Sequence, residues 1–551
     1  MLVLHSHLPW VLHHGRWPHG TDWLCEAAAE CYLPLFRLLQ ARTAEQGQLG
    51  ITLGLSPVLC EQLAHADFPN DFRDYLEMKR TAAREDRERF ATEGREVEAG
   101  LARRWERFYR ETMEDFFGPH GTSLVARFRR LEQRGAIEII TSAATHAYLP
   151  LLGTAGSVER QIGLAREVHR RHFGRDPRGI WIPELAYRPP GAWRSPVRAN
   201  ASEAWREGVD QVLARSGFEY FFVDAHLATG GAPIAATSIG GASEPARRGE
   251  HASGELSGAF RVEPSGLACF ARDWRTAEQV WSREGGYPGD PDYLEFHRRN
   301  HPGGLRYWAV TDVRTALGDK RVYRPGRARA RAAEHARHLI ESLERAGSDH
   351  PASSVAALYD TELFGHWWFE GVDFLGEFLQ RAGSAGIALE TASESLARHG
   401  TRGRARLAEG SWGEGGGHHV WLQESTLGAW RVIHAIERRF ERVAARLEQL
   451  PPSPRIERAM AQALRELLLL ESSDWTFLIT RGAAADYAEA RWRGHARDAL
   501  HLLGIAARSG ADAPATDREM EQLAACETRD SLFPGLDWRA GRSSGAAAAS
   551  A

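Results

Sequence analysis

The chain has 551 residues, room for two or three domains or for one large barrel with insertions. Hydrophobic residues make up 43% and charged residues 26%, the balance of a water-soluble globular protein. Lys+Arg 69 against Asp+Glu 73 gives a formal net charge of -4, which excludes the basic footprint of a nucleic-acid binder.

Seven short apolar runs predict buried strands, and polar side chains follow each. In chain order, residues 2–5 lead to His7, 50–53 to Ser56, 136–141 to His146, and 179–182 to Glu184. Residues 220–223 lead to Asp224 and His226, 267–271 to Arg272 and Asp273, and 355–358 to Asp360. Helical patterns such as 157–172 and 328–346 lie between most of them, so the sheet is expected to be parallel. With this many units a closed barrel is favoured over an open sheet, and its polar tails gather at one catalytic face. No GxGxxG follows the first strand, which argues against a dinucleotide-binding fold.

Three regions stand outside the repeat. The charged, helically periodic stretch 71–117 predicts a helical insertion at about 67–125. Residues 228–257, rich in Gly, Ala and Ser, predict a long mobile loop at about 225–260. From about 401 to 525 the pattern is nearly all helical, clearest at 422–449 and Pro454–Leu470, and predicts a C-terminal helical domain. Residues 526–551, ending in SSGAAAASA, are expected to form a largely disordered tail.

Five cysteines without CxxC spacing point to free thiols in a reducing cytoplasm. The opening MLVLHSHLPW lacks the pattern of a signal peptide. No apolar run reaches the roughly 18 residues of a membrane span.

The stretch VAALYDTELFGHWWFEG, 355–371, sets Asp360 and Glu362 beside Phe364, Trp367, Trp368 and Phe369. Carboxylates and large aromatics meet where an enzyme grips a sugar, because pyranose faces stack on indoles and glycosidic chemistry needs acids. In GIWIPELAYRP, 179–189, Pro183 ends a strand and leaves Glu184 at its tip. Pairing with Arg188 is the alternative reading of Glu184. Two such carboxylates suit glycoside chemistry, one at the anomeric carbon and one protonating the leaving oxygen. The residues alone leave open which does which. Tyr359, Phe364 and Trp367 are expected to keep Asp360 protonated.

GSWGEGGGHHVWL, 410–422, sets Trp412 and Trp421 around a glycine-rich turn, as sugar platforms or as core tryptophans. Asp474, in ESSDWTFLI, needs a partner if buried, either an active-site Arg or His or the sugar. His7 and His146 read as donors to sugar hydroxyls. The pairs His5/His7, His13/His14 and His418/His419 come without HExxH or a cysteine cluster, so no metal is expected.

In order, HSHLPW, GLSPVL, ATHAYLPLL, WIPELAY, FARDW, YDTELFGHWW, SWGEGG and ESSDWTF resemble motifs of glycoside hydrolase family 57, in its 1,4-α-glucan branching branch. The similarity covers about residues 2–525. It implies an α/β fold: an incomplete seven-stranded (β/α) barrel with a helical insertion and a C-terminal all-helical domain. It implies retaining chemistry on α-glucans such as amylose, without metal or other cofactor. Glu184 would be the nucleophile and Asp360 the general acid/base. The substrate-binding set would be His7, His146, Arg272, Asp273, Trp274, Trp367, Trp412, Trp421 and Asp474. Branching enzymes of this family carry a tyrosine on a loop over the active site. Residues 225–260 contain none, and Phe260 is the only Phe, Trp or Tyr there. An α-amylase-like hydrolase, a 4-α-glucanotransferase and a non-catalytic glucan binder are therefore competing expectations.

Overall fold

The computed structural model describes residues 1–198, 201–230, 258–282, 284–312, 314–349, 354–451, 453–509 and 515–540, without the side chains of 346–349 and 509. Most of the loop expected at 225–260, and the end of the expected tail, lie outside the described residues.

Nine strands form one sheet: β1 (Leu2–Ser6), β2 (Ile51–Leu55), β3 (Ile137–Ser142), β4 (Gly179–Trp181), β5 (Tyr220–Asp224), β6 (Ala259–Val262), β7 (Ala268–Arg272), β8 (Ala357–Asp360) and β9 (Thr401–Ala405). All seven predicted strands are among them, each displaced by two residues at most. The spatial order is β8-β1-β2-β3-β4-β5-β7-β6-β9. From β8 to β7 every pairing is parallel. β1, β2, β3 and β5 are buried along their whole length, which is why they read as unbroken apolar runs rather than alternating ones.

The barrel is incomplete. β7 uses its second edge to pair antiparallel with β6, so that edge is not free for β8. The two ends of the parallel run nevertheless approach each other. Asp273 N–H donates to the Ala356 carbonyl at 2.8 Å, and the Tyr359 hydroxyl donates to the Thr276 carbonyl at 3.1 Å. Counting strand–helix units favoured full closure, and competition for the β7 edge overrides it.

The helical insertion is a pair of packed helices, Phe68–Thr92 and Glu96–Phe116. Phe72, Leu76, Ala83 and Phe90 form the buried stripe of the first. The C-terminal region contributes helices Leu427–Leu447, Pro454–Leu470, Ser473–Arg481, Ala485–Ser509 and Asp517–Arg529. Residues 526–540 of the expected disordered tail are ordered, and the rest of it lies outside the described residues. Leu532, Phe533 and Trp538 are buried apolar anchors, and they hold the chain to residue 540. Among the described residues no helix is long and apolar enough to cross a membrane. All five cysteines are buried and free.

Two backbone junctions bring the C-terminal half onto the strand tips. Tyr187 and Gly410 exchange N–H···O bonds of 2.8 and 3.0 Å, and Ser473 N–H donates to the His146 carbonyl at 3.0 Å.

Candidate active site

Glu184 follows β4 in the short turn Pro183–Leu185, at φ 60°. His146, past β3, is also left-handed, at φ 58°. Such backbone costs about 1–3 kcal/mol per residue and persists only where the surroundings enforce it. For Glu184 the enforcement is visible: Trp412 N–H donates to its carbonyl at 3.1 Å. Its carboxylate is gripped on both oxygens. Trp412 Nε1–H donates to Oε2 and Ser473 Oγ–H to Oε1, each at 2.8 Å. Burial, with Asp474 nearby, raises the Glu184 pKa to about 7 against the pull of these two donors. Arg188 does not pair with it, since its guanidinium donates to the Pro189 and Glu207 carbonyls.

Asp360 ends β8, beside His5 in register. Its carboxyl has no hydrogen-bond donor among the described residues. Burial pushes its pKa well above the usual range, the charges of Glu362 and Glu184 add to this, and Arg272 opposes it. The two carboxyls thus share one electrostatic environment but differ in their restraints. Glu184 is tethered by two donors, and Asp360 has none among the described residues. Tyr359 and Phe364 are core residues behind β8. Glu362 supplies a charge effect on Asp360 that apolar neighbours alone would not. It is fixed by the Tyr32 hydroxyl and by His7 N–H.

Three imidazoles line up beside Glu184. His5 and His146 face each other Nε2 to Nε2 at 3.0 Å, and His146 Nδ1 lies 3.0 Å from Ser473 Oγ. Burial lowers both pKa values well below the ordinary range, so both rings are neutral. One proton arrangement then fits an ionised Glu184: His5 donates to His146, His146 to Ser473, and Ser473 to Glu184. His7 stacks on His146 at 3.9 Å and 11°. Its nitrogens meet Ser56 Oγ and Asp474 Oδ2, each at 2.9 Å. Burial works against ionisation of Asp474, but His7, His146 and Ser472 outweigh it and hold the pKa at about 2. The liganding atoms of His7, His146 and Asp474 lie within 4.8 Å of one another. The stacked rings, however, run their in-plane lone pairs side by side rather than to a common point, so the set works as a hydrogen-bond relay.

Residues 1–408 match the family model for glycosyl hydrolase family 57, and residues 432–540 match the C-terminal model of 1,4-alpha-glucan branching enzymes. The chain belongs to glycosyl hydrolase family 57. It is 37% identical over 507 residues to the 1,4-alpha-glucan branching enzyme TK1436 of Thermococcus kodakarensis, covering 91% of this chain and 72% of that protein. The crystal structure of a GH57-type branching enzyme from Pyrococcus horikoshii superposes with a TM-score of 0.86 at 38% identity, covering 98% of this chain and 96% of that one. The α-amylase AmyC of Thermotoga maritima superposes at 0.80 and 28% identity, covering 98% and 99%.

The other expected residues of this family 57 site fall into two groups. Arg272 is buried at the β7 tip, bonded to Asp224 and 5.4 Å from the Trp412 ring centroid. Trp274 and Trp367 are partly exposed, and Trp367 meets Trp281 edge-on at 5.6 Å. These can face a ligand. Asp273 is engaged elsewhere, because its carboxylate caps helix Trp274–Trp281 by accepting Thr276 N–H at 2.8 Å. Trp421, expected in the cleft, is only 1% exposed and packs on Tyr148 and Phe477. A Cβ on Gly413 would come within 2.6 Å of its ring, so Trp421 shapes the turn from beneath.

Ser473, Glu362, Ser56 and the Asp224–His226 pair carry no assigned role in the sequence, although each lies in a strand tail or a quoted motif. Ser473 could have been flagged as the hydroxyl next to Asp474 in ESSDWTF.

Proposed function

We propose that this family 57 protein is a retaining 1,4-α-glucan branching enzyme, with Glu184 as nucleophile and Asp360 as general acid and base. The observation that carries this reading is the unequal restraint of two strand-tip carboxyls, one held by Trp412 and Ser473 and the other with no hydrogen-bond donor among the described residues, in surroundings that raise its pKa. Glu184 attacks the anomeric carbon of an α-1,4-linked glucosyl unit. The bond to the leaving O4 breaks, and Asp360 supplies the proton that oxygen takes. The second step reverses the roles. Asp360 takes the proton of an incoming 6-hydroxyl, which displaces Glu184 and forms an α-1,6 branch. Two inversions at one carbon leave the α configuration unchanged.

Trp412 and Ser473 keep Glu184 aimed and ionised before attack. Trp274, Trp367 and Arg272 are assigned to glucan contact, and His7, His146 and Asp474 to orienting the ring at the point of cleavage. The five free, buried cysteines support a cytoplasmic location. Amylose incubated with the protein is expected to gain more α-1,6 linkages than reducing ends. A hydrolase on the same scaffold is the second reading, favoured by the absence of tyrosine from 225–260 and by the similarity to an α-amylase. It would raise reducing ends without new branches.

A further inference from the structure

Away from the catalytic residues, another pair of histidines converges on a carboxylate. His13 lies in the segment after β1, His65 just past helix Pro57–Ala64, and Asp67 immediately before helix Phe68–Thr92. Asp67 Oδ2 is 3.0 Å from His13 Nε2 and 3.6 Å from His65 Nδ1. One liganding atom from each residue lies within 4.8 Å of the other two. A tetrahedral zinc ion with N and O ligands at about 2.0–2.1 Å holds its ligand atoms roughly 3.3 Å apart. The two measured separations bracket that value.

The rings are also oriented to share an ion. Their centroids are 5.2 Å apart and their planes cross at 75°, so the in-plane lone pairs can meet, unlike those of the stacked His7 and His146. The remote nitrogens are already engaged: His13 Nδ1 faces the Arg529 carbonyl at 3.2 Å, and His65 Nε2 faces Ser531 Oγ at 3.1 Å. A carbonyl only accepts, so His13 Nδ1–H donates to Arg529, and Nε2 is the ring atom that faces Asp67. Asp67 N–H donates to His65 Nδ1 at 3.2 Å, so that nitrogen carries a lone pair, which an ion would take over from this hydrogen bond. A ring N–H on a backbone carbonyl is also the outer contact that fixes metal-bound histidine. Asp71 adds a second carboxylate within electrostatic reach of both His13 and Asp67.

We propose that His13, His65 and Asp67 form a binding site for one divalent transition-metal ion of the zinc class, with its fourth position open to water. The side chains are 28%, 20% and 58% exposed, so an ion can enter from solvent. The bound ion would tie the segment after β1 and the start of the helical insertion to residues 529–531 of the C-terminal region, at a place where no catalytic group takes part.

The test uses the full chain stripped with chelator, titrated with Zn²⁺ by calorimetry and with Co²⁺ by visible absorption. One tight equivalent is expected, with the intense d–d bands of tetrahedral Co²⁺ and an upward shift of the unfolding temperature, since the ion binds only the folded chain. Asp67→Asn and His13→Gln should each weaken binding by at least about tenfold and remove those bands, and Ser531→Ala should weaken it through the outer contact. All three variants should keep wild-type circular dichroism and action on amylose. Absence of a tight equivalent overturns the proposal. So does Zn²⁺ binding that is unchanged in both Asp67→Asn and His13→Gln, because the ion would then sit elsewhere.

Discussion

Trp412 holds Glu184 twice, through its backbone N–H to the Glu184 carbonyl at 3.1 Å and through its indole N–H to the carboxylate at 2.8 Å. The second bond stabilises the ionised form. Trp412→Phe keeps an aromatic ring and loses the indole N–H together with the pyrrole half of the side chain. The Glu184 pKa should rise above about 7, and the acid limb of the kcat/KM profile should move to higher pH. A hydrogen bond to a charged group contributes about 1.5–3 kcal/mol, so kcat/KM should fall roughly 10–100-fold. An acid limb that stays in place would show that the indole N–H does not tune the nucleophile.

The roles of the two carboxyls separate by leaving group. Glu184→Gln should abolish turnover on every glucoside while glucan binding persists. Asp360→Asn should be crippled on amylose but recover substantially on an aryl glucoside whose leaving group needs no proton. A complex with a glucan should place the two carboxyls about 5–5.5 Å apart, the retaining separation. Equal losses of Asp360→Asn on both substrates would remove Asp360 from the acid role.

Glu184 also makes a stability prediction. Its folded pKa of about 7 lies above the unfolded value, so the folded chain binds the extra proton between about pH 4.5 and 7. That proton stabilises below the unfolded pKa, and the effect is lost as pH rises through 7. Glu184→Gln removes the titration. Its stability relative to wild type should therefore improve by about 3 kcal/mol between pH 4 and pH 8 in urea unfolding. A difference that is flat with pH would mean the carboxylate is far better solvated than its surroundings indicate.

Two tryptophans should respond in opposite ways. Trp421→Ala empties a closed site under the glycine-rich turn and should cost about 3–5 kcal/mol in unfolding free energy. Trp367 is 37% exposed, so Trp367→Ala should leave the thermal transition in place and raise KM for long glucans. A lowered transition for Trp367→Ala with unchanged KM would reverse the assignment.

After the glucosyl-enzyme forms, water and a glucan hydroxyl compete for the same carbon, and a lid favours the glucan by excluding water. Residues 225–260 contain no tyrosine. More reducing ends per branch are expected than from family members that carry one, and a tyrosine introduced into this stretch should lower that ratio. Branching of amylose with negligible reducing-end release would make the tyrosine dispensable.

The seven parallel strands were legible because each is short, apolar and buried on both faces, and because Glu184 and Asp360 stand directly at strand tips. β9 was not legible. Its sequence TRGRA has no apolar residue before Ala405, and it is held by backbone pairing at a sheet edge. The incomplete closure of the barrel was legible only through the family resemblance, since the strand count cannot tell which strand takes the second edge of β7. Trp412 and Trp421 flank the same glycine-rich turn, and local sequence treats them alike. Only tertiary packing sets one on Glu184 and the other on Tyr148. Ser473 came close to Glu184 by the docking of a helix 289 residues away.

That docking has a consequence for the life history of the chain. Glu184 is emitted early in synthesis, yet its two grips arrive 228 and 289 residues later. A nascent or partly unfolded molecule would carry Glu184 on an unsupported left-handed turn, with neither carboxylate oxygen fixed. Competence is therefore the last thing the polypeptide acquires. A chain with Glu184 aimed is one whose C-terminal half has already docked onto the strand tips.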